Sequence, residues 1–351
     1  MVDFGGWELP QQYTSIRDEH FAVRRSAGLF DISHMGRFKL HGDGSFDFLQ
    51  GLLTNDLSRI GRGRAQYNLM CNERGGILDD LVAYWGDDGF IVVVNASNRE
   101  RDLEWMRGHA PAGVDVEDRT FEQSLLAFQG PQAESLIPAT GLKGLPYFGF
   151  RPGKVAGTSA LVSRTGYTGE DGFEIFVTAD RVVQVWDAIL AHAAKQGALP
   201  AGLGARDATR LEAALRLYGN DMDEGVNPYE AGLGWTVRLD KGNFVGRDAL
   251  ASVKSEGPKR TLVGLKTAAG DIARHGAAVF KGGRRIGTVT SGTHSFFLGH
   301  PIALAMVEVA SLRVGETAAV DVRGRQAAAE TVQLPFYRGS ARSAAATPAK
   351  S

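Results

Sequence analysis

Apolar residues along this chain come in short runs broken by glycine and polar turns, and the texture changes after about residue 255. Residues 11–60 mix short amphipathic stretches with loops. Phe90–Val94 is a continuous apolar run of strand length. Ser97 follows, with Glu100 three residues on. That pair predicts a capping box and a helix through Asp102, Leu103 and Met106 that stops near Gly108. Leu125–Phe128 predicts a buried strand ended by Gly130-Pro131. Ser159–Ser163 and Phe173–Val177 predict strands either side of a glycine-rich loop. In the second, Phe173, Ile175 and Val177 share one face and Glu174 points to the other. Thr178–Gly197 carries Val182, Val185, Trp186, Ile189, Leu190 and Ala193 at helical spacing, with a glycine suited to the left-handed end position. Another helix is predicted after Gly204, through Arg206, Arg210, Leu211 and Leu215 to Gly219.

Strand then helix recurs up to about residue 250, so this part is mixed α and β. Beyond Ser255-Glu-Gly-Pro258 the helical period is gone. Arg260–Lys266, Ala277–Phe280, Ile286–Thr290, Ala303–Val309 and Ala318–Val322 predict short strands between glycine or charged turns, hence a small barrel or sandwich. From Gly339 to Ser351 the chain is mostly Ala, Ser, Pro and Lys, and a disordered tail is expected.

Composition narrows the function classes. The 39 basic and 40 acidic residues leave a formal charge of −1, so there is no basic footprint for nucleic acid. No apolar run approaches the roughly 18 residues a membrane helix needs. The one cysteine, Cys71, excludes an intrachain disulfide and a cysteine-based zinc cluster, and suits a reducing compartment. Met1–Pro10 has no basic start and no apolar core, so no export signal is legible and a cytoplasmic protein is expected. The eight histidines show no i,i+4 pair, and no metal site is expected. There is no P-loop and no Gly-x-Ser-x-Gly elbow, and Gly202-Leu-Gly204-Ala-Arg-Asp207 lacks the third glycine of a dinucleotide fingerprint.

Several segments depart from generic patterning. They are Phe4-Gly-Gly-Trp7, Phe30-Asp-Ile-Ser-His-Met-Gly36, Gly75-Gly-Ile-Leu-Asp-Asp80 and Val94-Asn-Ala-Ser-Asn98 with Asp102. Then come Ser163-Arg-Thr-Gly-Tyr-Thr-Gly-Glu-Asp-Gly-Phe-Glu174, Ala205-Arg-Asp207, and Arg210-Leu-Glu-Ala213 running into Leu217-Tyr-Gly-Asn-Asp221. Last are Glu230-Ala-Gly-Leu-Gly-Trp235 and Gly287-Thr-Val-Thr-Ser-Gly292. In this order the chain resembles the aminomethyltransferase (T-protein) family of the glycine cleavage system, from Met1 to about Arg338.

The resemblance implies an α+β fold of three domains set like a cloverleaf, with a central folate-binding hole and a C-terminal β-barrel. Residues 1–252 would form the folate-binding region of two interleaved α/β subdomains, 253–338 the barrel domain and 339–351 the tail. It implies an enzyme that takes the one-carbon unit from the aminomethyl-loaded lipoyl arm of the H-protein. The acceptor is the co-substrate tetrahydrofolate, and the products are ammonia and 5,10-methylenetetrahydrofolate.

A pterin needs a carboxylate for its amide-like edge and aromatic walls. Glu174 suits the first role, and Arg206 offers a planar fork of donors; both match folate-binding positions of the family. Tyr84, Tyr167 and Tyr337 are the aromatic or hydroxyl candidates. The resemblance puts the catalytic aspartate at Asp102, where a fixed carboxylate would hydrogen-bond the reacting folate nitrogen and stabilise developing positive charge. Trp7 and Trp235 are expected to pack rather than bind.

Two rival activities share the fold: a folate-dependent demethylase and a non-catalytic folate-binding protein of iron–sulfur maintenance. The first diverges in the Asn-Ala-Ser-Asn and Tyr-Gly-Asn-Asp segments, which are intact here. The second carries a cysteine signature where this chain has Phe244-Val-Gly-Arg-Asp248. The family usually has further residues ahead of the segment that starts here at Met1, and Ser-Pro where this chain has Ser295-Phe296-Phe297, so a reshaped loop is expected there. Expected partners are the lipoylated H-protein and tetrahydrofolate, with no nucleic acid and no membrane. The expected state is a monomer, and Arg284-Arg285 and the cluster Arg59, Arg62, Arg64 are the candidate docking residues.

Overall fold

The structure, a computed structural model, describes residues 1–341. Two sheets share the first part of the chain and exchange segments. A seven-stranded sheet runs, edge to edge, Ala139–Thr140, Phe150–Val155, Thr158–Ser163, Gly172–Thr178, Gln123–Gln129, Gly28–Asp31 and Leu199–Pro200. A five-stranded sheet runs Arg64–Cys71, Ile77–Gly86, Gly89–Val94, Gly36–His41 and Asp115–Asp118. The chain starts the first sheet at Gly28, builds the second, and returns at Gln123. That exchange ties the two halves together.

Each sheet buries its outer face under helices. Helix Val182–Ala193 lays Val185, Ile189 and Ala193 on Leu126, Phe128, Phe173 and Ile175 of the first sheet. Helices Ser45–Leu52 and Arg99–His109 cover the second with Phe48, Leu49, Leu52 and Met106. The inner faces meet through Phe30, Ala65, Tyr84, Val93, Ala127, Phe150 and Phe176. The alternation read from Phe173–Val177 holds: Phe173 and Ile175 join the outer core, Phe176 the inner one.

The expected all-β region is a closed six-stranded barrel of Arg260–Thr267, His300–Glu308, Arg284–Ser295, Ala278–Lys281, Thr317–Val322 and Arg325–Val332. The last strand has a weak pattern: its buried residues are Ala327, Ala329 and Thr331. A register shift lies between Val289 and Ser291, where the barrel meets the helical part. There Thr290 donates to Asp221 at 2.6 Å, and Ser291 accepts from Arg210 at 2.9 Å.

Three local expectations are corrected. The capping box of Ser97 and Glu100 does not form; helix Arg99–His109 begins behind a 3₁₀ turn whose Asn95 and Asn98 amides point at Asp79 instead. The helix expected to reach Gly219 is Leu203–Glu212. It stops where Ala214 takes a left-handed φ of 53° and Asp221 captures both Arg210 and the Leu217 N–H. The tail expected from Gly339 is held through Ala341: Ser340 bonds Glu170 at 2.6 Å and the Asp171 N–H at 3.0 Å. The rest of that expectation, 342–351, lies outside the described residues. No helix among the described residues is long and apolar enough to cross a membrane.

Candidate active site

The segment before Asp80 needs glycine. A Cβ on Gly76 would sit 2.0 Å from the carbonyl oxygen of Glu224, so only glycine lets the 224–226 loop lie against it. Ile77 then donates to the Val226 carbonyl at 3.0 Å, and strand Ile77–Gly86 carries Asp79 and Asp80 inward. Asp79 is wholly buried. It accepts from the Asn95 N–H at 2.9 Å, the Asn95 amide at 2.8 Å and the Asn98 amide at 2.7 Å. Asp80 accepts from Tyr67 Oη at 2.9 Å and from the Asn95 amide at 2.7 Å. The intact Asn-Ala-Ser-Asn segment is therefore a clamp on two neighbouring carboxylates.

Asp102 stands behind this clamp. It is 0% exposed, and neither of its oxygens has a hydrogen-bond partner among the described residues. The nearest cation is Arg101, with Nε 3.6 Å from Oδ1. A group with no surface cannot touch a substrate. Asp102 is thus walled off in this structure, whereas Asp80 is not. Asp80 lies deep in the protein yet keeps solvent contact. Burial pushes its carboxyl up to about 7, the Asp79 charge adds to that, and the Tyr67 and Asn95 bonds oppose it. Burial, then the Asp79 charge, pushes Asp102 up to about 10.

Tyr67, Tyr167 and Arg206 share that condition: surrounded by protein, still open to solvent. Their charges and dipoles act on one another and on Asp80, so the four side chains lie close together. The Arg206 guanidinium carbon lies 4.7 Å from the centre of the Tyr167 ring. Its side chain makes no hydrogen bond or ion pair among the described residues, so its five donors are unspent. Burial lowers its proton affinity, while Tyr167 and Glu174 work the other way. Tyr167 is fixed by donating its hydroxyl to the Arg216 carbonyl. The loop that carries it packs tightly: a Cβ on Gly166 would fall 1.8 Å from the Gln129 amide oxygen.

Glu174, on strand Gly172–Thr178, accepts from Tyr84 Oη at 2.9 Å and from the Thr165 hydroxyl. Tyr84 itself is 1% exposed. It stands behind Glu174, which it holds in place, and is itself packed away from solvent. Tyr337 stands apart from this group. Its ring lies under Arg24 at 4.4 Å and edge-on to Phe297 at 5.1 Å, beside Glu170 and Glu212. The Ser295-Phe296-Phe297 loop packs there too, with Ser295 donating to Glu212. Glu174, Arg206 and Tyr167 are thus brought together; Tyr337 and Asp102 are not.

Sequence reasoning missed Tyr67, Asp80 and Asn95. Gly75-Gly-Ile-Leu-Asp-Asp80 was legible as unusual, but nothing local says which aspartate meets open space. Trp235 is 57% exposed and stacks on Tyr67 at 5.9 Å, so it is no core residue. Trp7 stacks on Phe121 at 5.9 Å. Of the expected docking residues, Arg284 pairs with Glu308 at 2.7 Å, and Arg62 caps the Gly86 carbonyl at 2.5 Å. A surface groove of about 600 Å³ beside Lys39, Arg62 and Arg151 is lined by none of the residues around Asp80. Among the described residues no three His, Cys, Asp or Glu side chains are placed to hold a metal ion.

Comparison with known proteins gives concordant results. The family model for the GCVT N-terminal domain matches residues 1–241, and that for the glycine cleavage T-protein C-terminal barrel domain matches 260–338. The chain is 47% identical to an aminomethyltransferase of Geobacillus kaustophilus over 343 residues, 96% of this chain and 94% of that one. It is 48% identical to one of Thermotoga maritima over 348 residues, 97% and 95% respectively. The solved glycine cleavage system aminomethyltransferase T of Bartonella henselae superposes with a TM-score of 0.89 at 33% identity, covering 97% of this chain and 94% of that one.

Proposed function

The chain belongs to the glycine cleavage T-protein family and is an enzyme of the aminomethyltransferase class, and on that premise we propose its reaction in detail. It moves the one-carbon unit from the aminomethyl-dihydrolipoyl arm of the H-protein to tetrahydrofolate. The carbon's bonds to sulfur and to nitrogen are exchanged for bonds to two folate nitrogens. The two protons leaving those nitrogens end on sulfur and on ammonia. The observation that supports this reading is the group itself: Asp80 bonded by Tyr67, Arg206 over the Tyr167 ring with its donors unspent, and Glu174 acting on Arg206.

The residues suit a reduced pterin. Glu174, steadied by Tyr84 and Thr165, accepts from the amide-like edge. Tyr67 and Tyr167 supply flat walls, and Arg206 supplies free donors to a carbonyl or carboxylate. Tetrahydrofolate supplies two nucleophilic nitrogens. Asp80 in its ionised form accepts the hydrogen bond from the reacting N–H and stabilises positive charge gathering at the transferred carbon. A carboxyl held near 7 exchanges protons with little driving-force penalty at neutral pH. Much of the rate comes from holding two large substrates in register. The reading extends to a cytoplasmic monomer, with residues 1–252 as the folate-binding region and 253–338 as the barrel domain.

The test uses aminomethyl-loaded H-protein, with ammonia and methylenetetrahydrofolate followed with and without tetrahydrofolate. Folate-dependent ammonia release by the wild type, lost in Asp80→Asn with folate still bound, supports the assignment. Folate binding without any release would overturn it.

A further inference from the structure

Asp79 and Asp102 are carboxyl groups that the proposed reaction never touches, and both are 0% exposed. Their surroundings differ completely. Asp79 collects three N–H donors from Asn95 and Asn98, whereas Asp102 collects none among the described residues. Burial raises the Asp79 carboxyl, but the bonds from Asn95 and Asn98 work against it and make Asp79 the better-held anion of the two. A carboxyl with none, out of water, keeps its proton instead. Asn98, one helical turn before Asp102, sets its amide 2.7 Å from Asp79 Oδ1, and Arg101 reaches the Leu78 carbonyl, so the two carboxyl groups are neighbours; adjacent buried carboxylates do not both ionise cheaply.

Few cations relieve them. Arg101 is the one cation within ion-pair distance of Asp102 among the described residues. Its terminal nitrogens are already spent on the Leu78 carbonyl, on Tyr218 Oη at 3.3 Å and on Glu224 at 3.1 Å. On the far side, Tyr67 donates to Asp80, Tyr167 and Arg206 lie close to it, and Glu174, Arg210, Arg216 and Asp221 act on those in turn.

We propose that Asp79 and Asp102 hold one proton between them, seated on Asp102, and that the single charge left on Asp79 makes the pair a positioning device for Asp80. This rests on the assignment of Asp80 above. The mechanical link is the Asn95 amide, 2.8 Å from Asp79 Oδ1 and 2.7 Å from Asp80 Oδ1, which locks the two carboxyl groups in register. The electrostatic link is the Asp79 charge, which raises the proton affinity of Asp80. With Asp102 neutral, Asp80 faces one negative neighbour and sits at the edge of ionisation. With Asp102 ionised as well, Asp80 would stay protonated at neutral pH and could not accept a proton.

Two readouts test the pair. The first is infrared spectroscopy of the whole protein at pH 7. A buried protonated-carboxyl band is expected in the wild type, retained in Asp80→Asn and lost in Asp102→Asn. Absence of any band that depends on Asp102 would overturn the proposal. This readout needs no turnover, so it stands or falls separately from the assigned reaction. The second is the pH profile of kcat. Asp79→Asn should move the acid limb down by about one pH unit, a tenfold gain relative to its own plateau at acid pH. Asp102→Asn should leave the limb in place, because it replaces one neutral group by another. A limb that moves by a unit or more in Asp102→Asn would show that Asp102 carries charge and would overturn the pair. A purely structural role would change kcat and stability without moving either limb. Should Asp79→Asn not fold, Asp102→Asn and the infrared band decide alone.

Discussion

Two regions of this protein bury several carboxylates each, and they do opposite things with them. Beneath the barrel, Arg24 meets Glu212 at 2.7 Å and Glu170 at 2.9 Å, and His20 Nε2 lies 2.9 Å from Glu212. Arg24 also donates to the Thr168 and Thr209 carbonyls, and the hydroxyls of Ser295 and Ser340 complete the set. Each carboxylate there has a cation, and the groups come from helix Ile16–Arg25, the 168–170 loop, the end of helix Leu203–Glu212, the barrel and the last described residues. Around Asp80, by contrast, three carboxyl groups share one already engaged arginine and are held by amides. Buried charge that is cancelled locks architecture together. Buried charge left with an excess of one sign takes up protons, and a site that exchanges protons near neutrality can do chemistry.

The two regions should therefore respond to pH with opposite signs. Burial works to raise Glu212, but His20, Arg24 and Ser295 together hold it below the ordinary glutamate value. Its stabilisation is present above the unfolded pKa and is lost as pH falls through the lowered folded value. Asp80 is raised, so between the ordinary carboxylate range and about 7 the folded state binds the extra proton, and stability falls as pH rises through that window.

The comparison breaks most visibly at Asp80. Asp80→Asn should lower turnover by about 10² to 10⁴. Its urea midpoint at pH 8 should be no lower than that of the wild type, since an ionised buried group has been removed. A mutant that unfolds instead would make Asp80 a structural member like Glu212. Next comes Arg24→Ala, which strands two carboxylates and should cost about 3–5 kcal/mol in denaturant unfolding. Its turnover per folded molecule should stay within a few fold; a selective loss of turnover would mean that the two regions are coupled. Arg206→Met should weaken tetrahydrofolate binding by about 1.5–3 kcal/mol in calorimetry, with little change in midpoint, because it removes donors that no protein group uses. The smallest effect belongs to Tyr84→Phe. Losing one of the two hydroxyl donors to Glu174 should cost about 1 kcal/mol of folate affinity, with no change at all counting against Glu174 as a pterin contact.

Much of the architecture was legible before the fold was known. Phe90–Val94 and Phe173–Val177 are strands because continuous or alternating apolar residues leave little other choice. The weak strand Arg325–Val332 escaped notice because alanines carry the inward face, and the end of helix Leu203–Glu212 because Asp221, nine residues further on, decides where the chain turns. Glu174, Arg206 and Tyr167 stood out through their motif and their strand or loop positions, and they do come together.

The sequence by itself determined the family, the two-sheet and barrel succession, and the short list of acids, arginines and tyrosines that the proposed folate site draws on. Only the tertiary structure set which of these keep solvent contact, as Asp80 and Tyr67 do, which are packed away, as Asp102 and Tyr84 are, and that Tyr337 lies apart from the rest. Local spacing says which face of a strand or helix a side chain takes. Whether that face meets a packed wall or an internal space depends on how the sheets and the barrel close around it, and no stretch of chain encodes that alone.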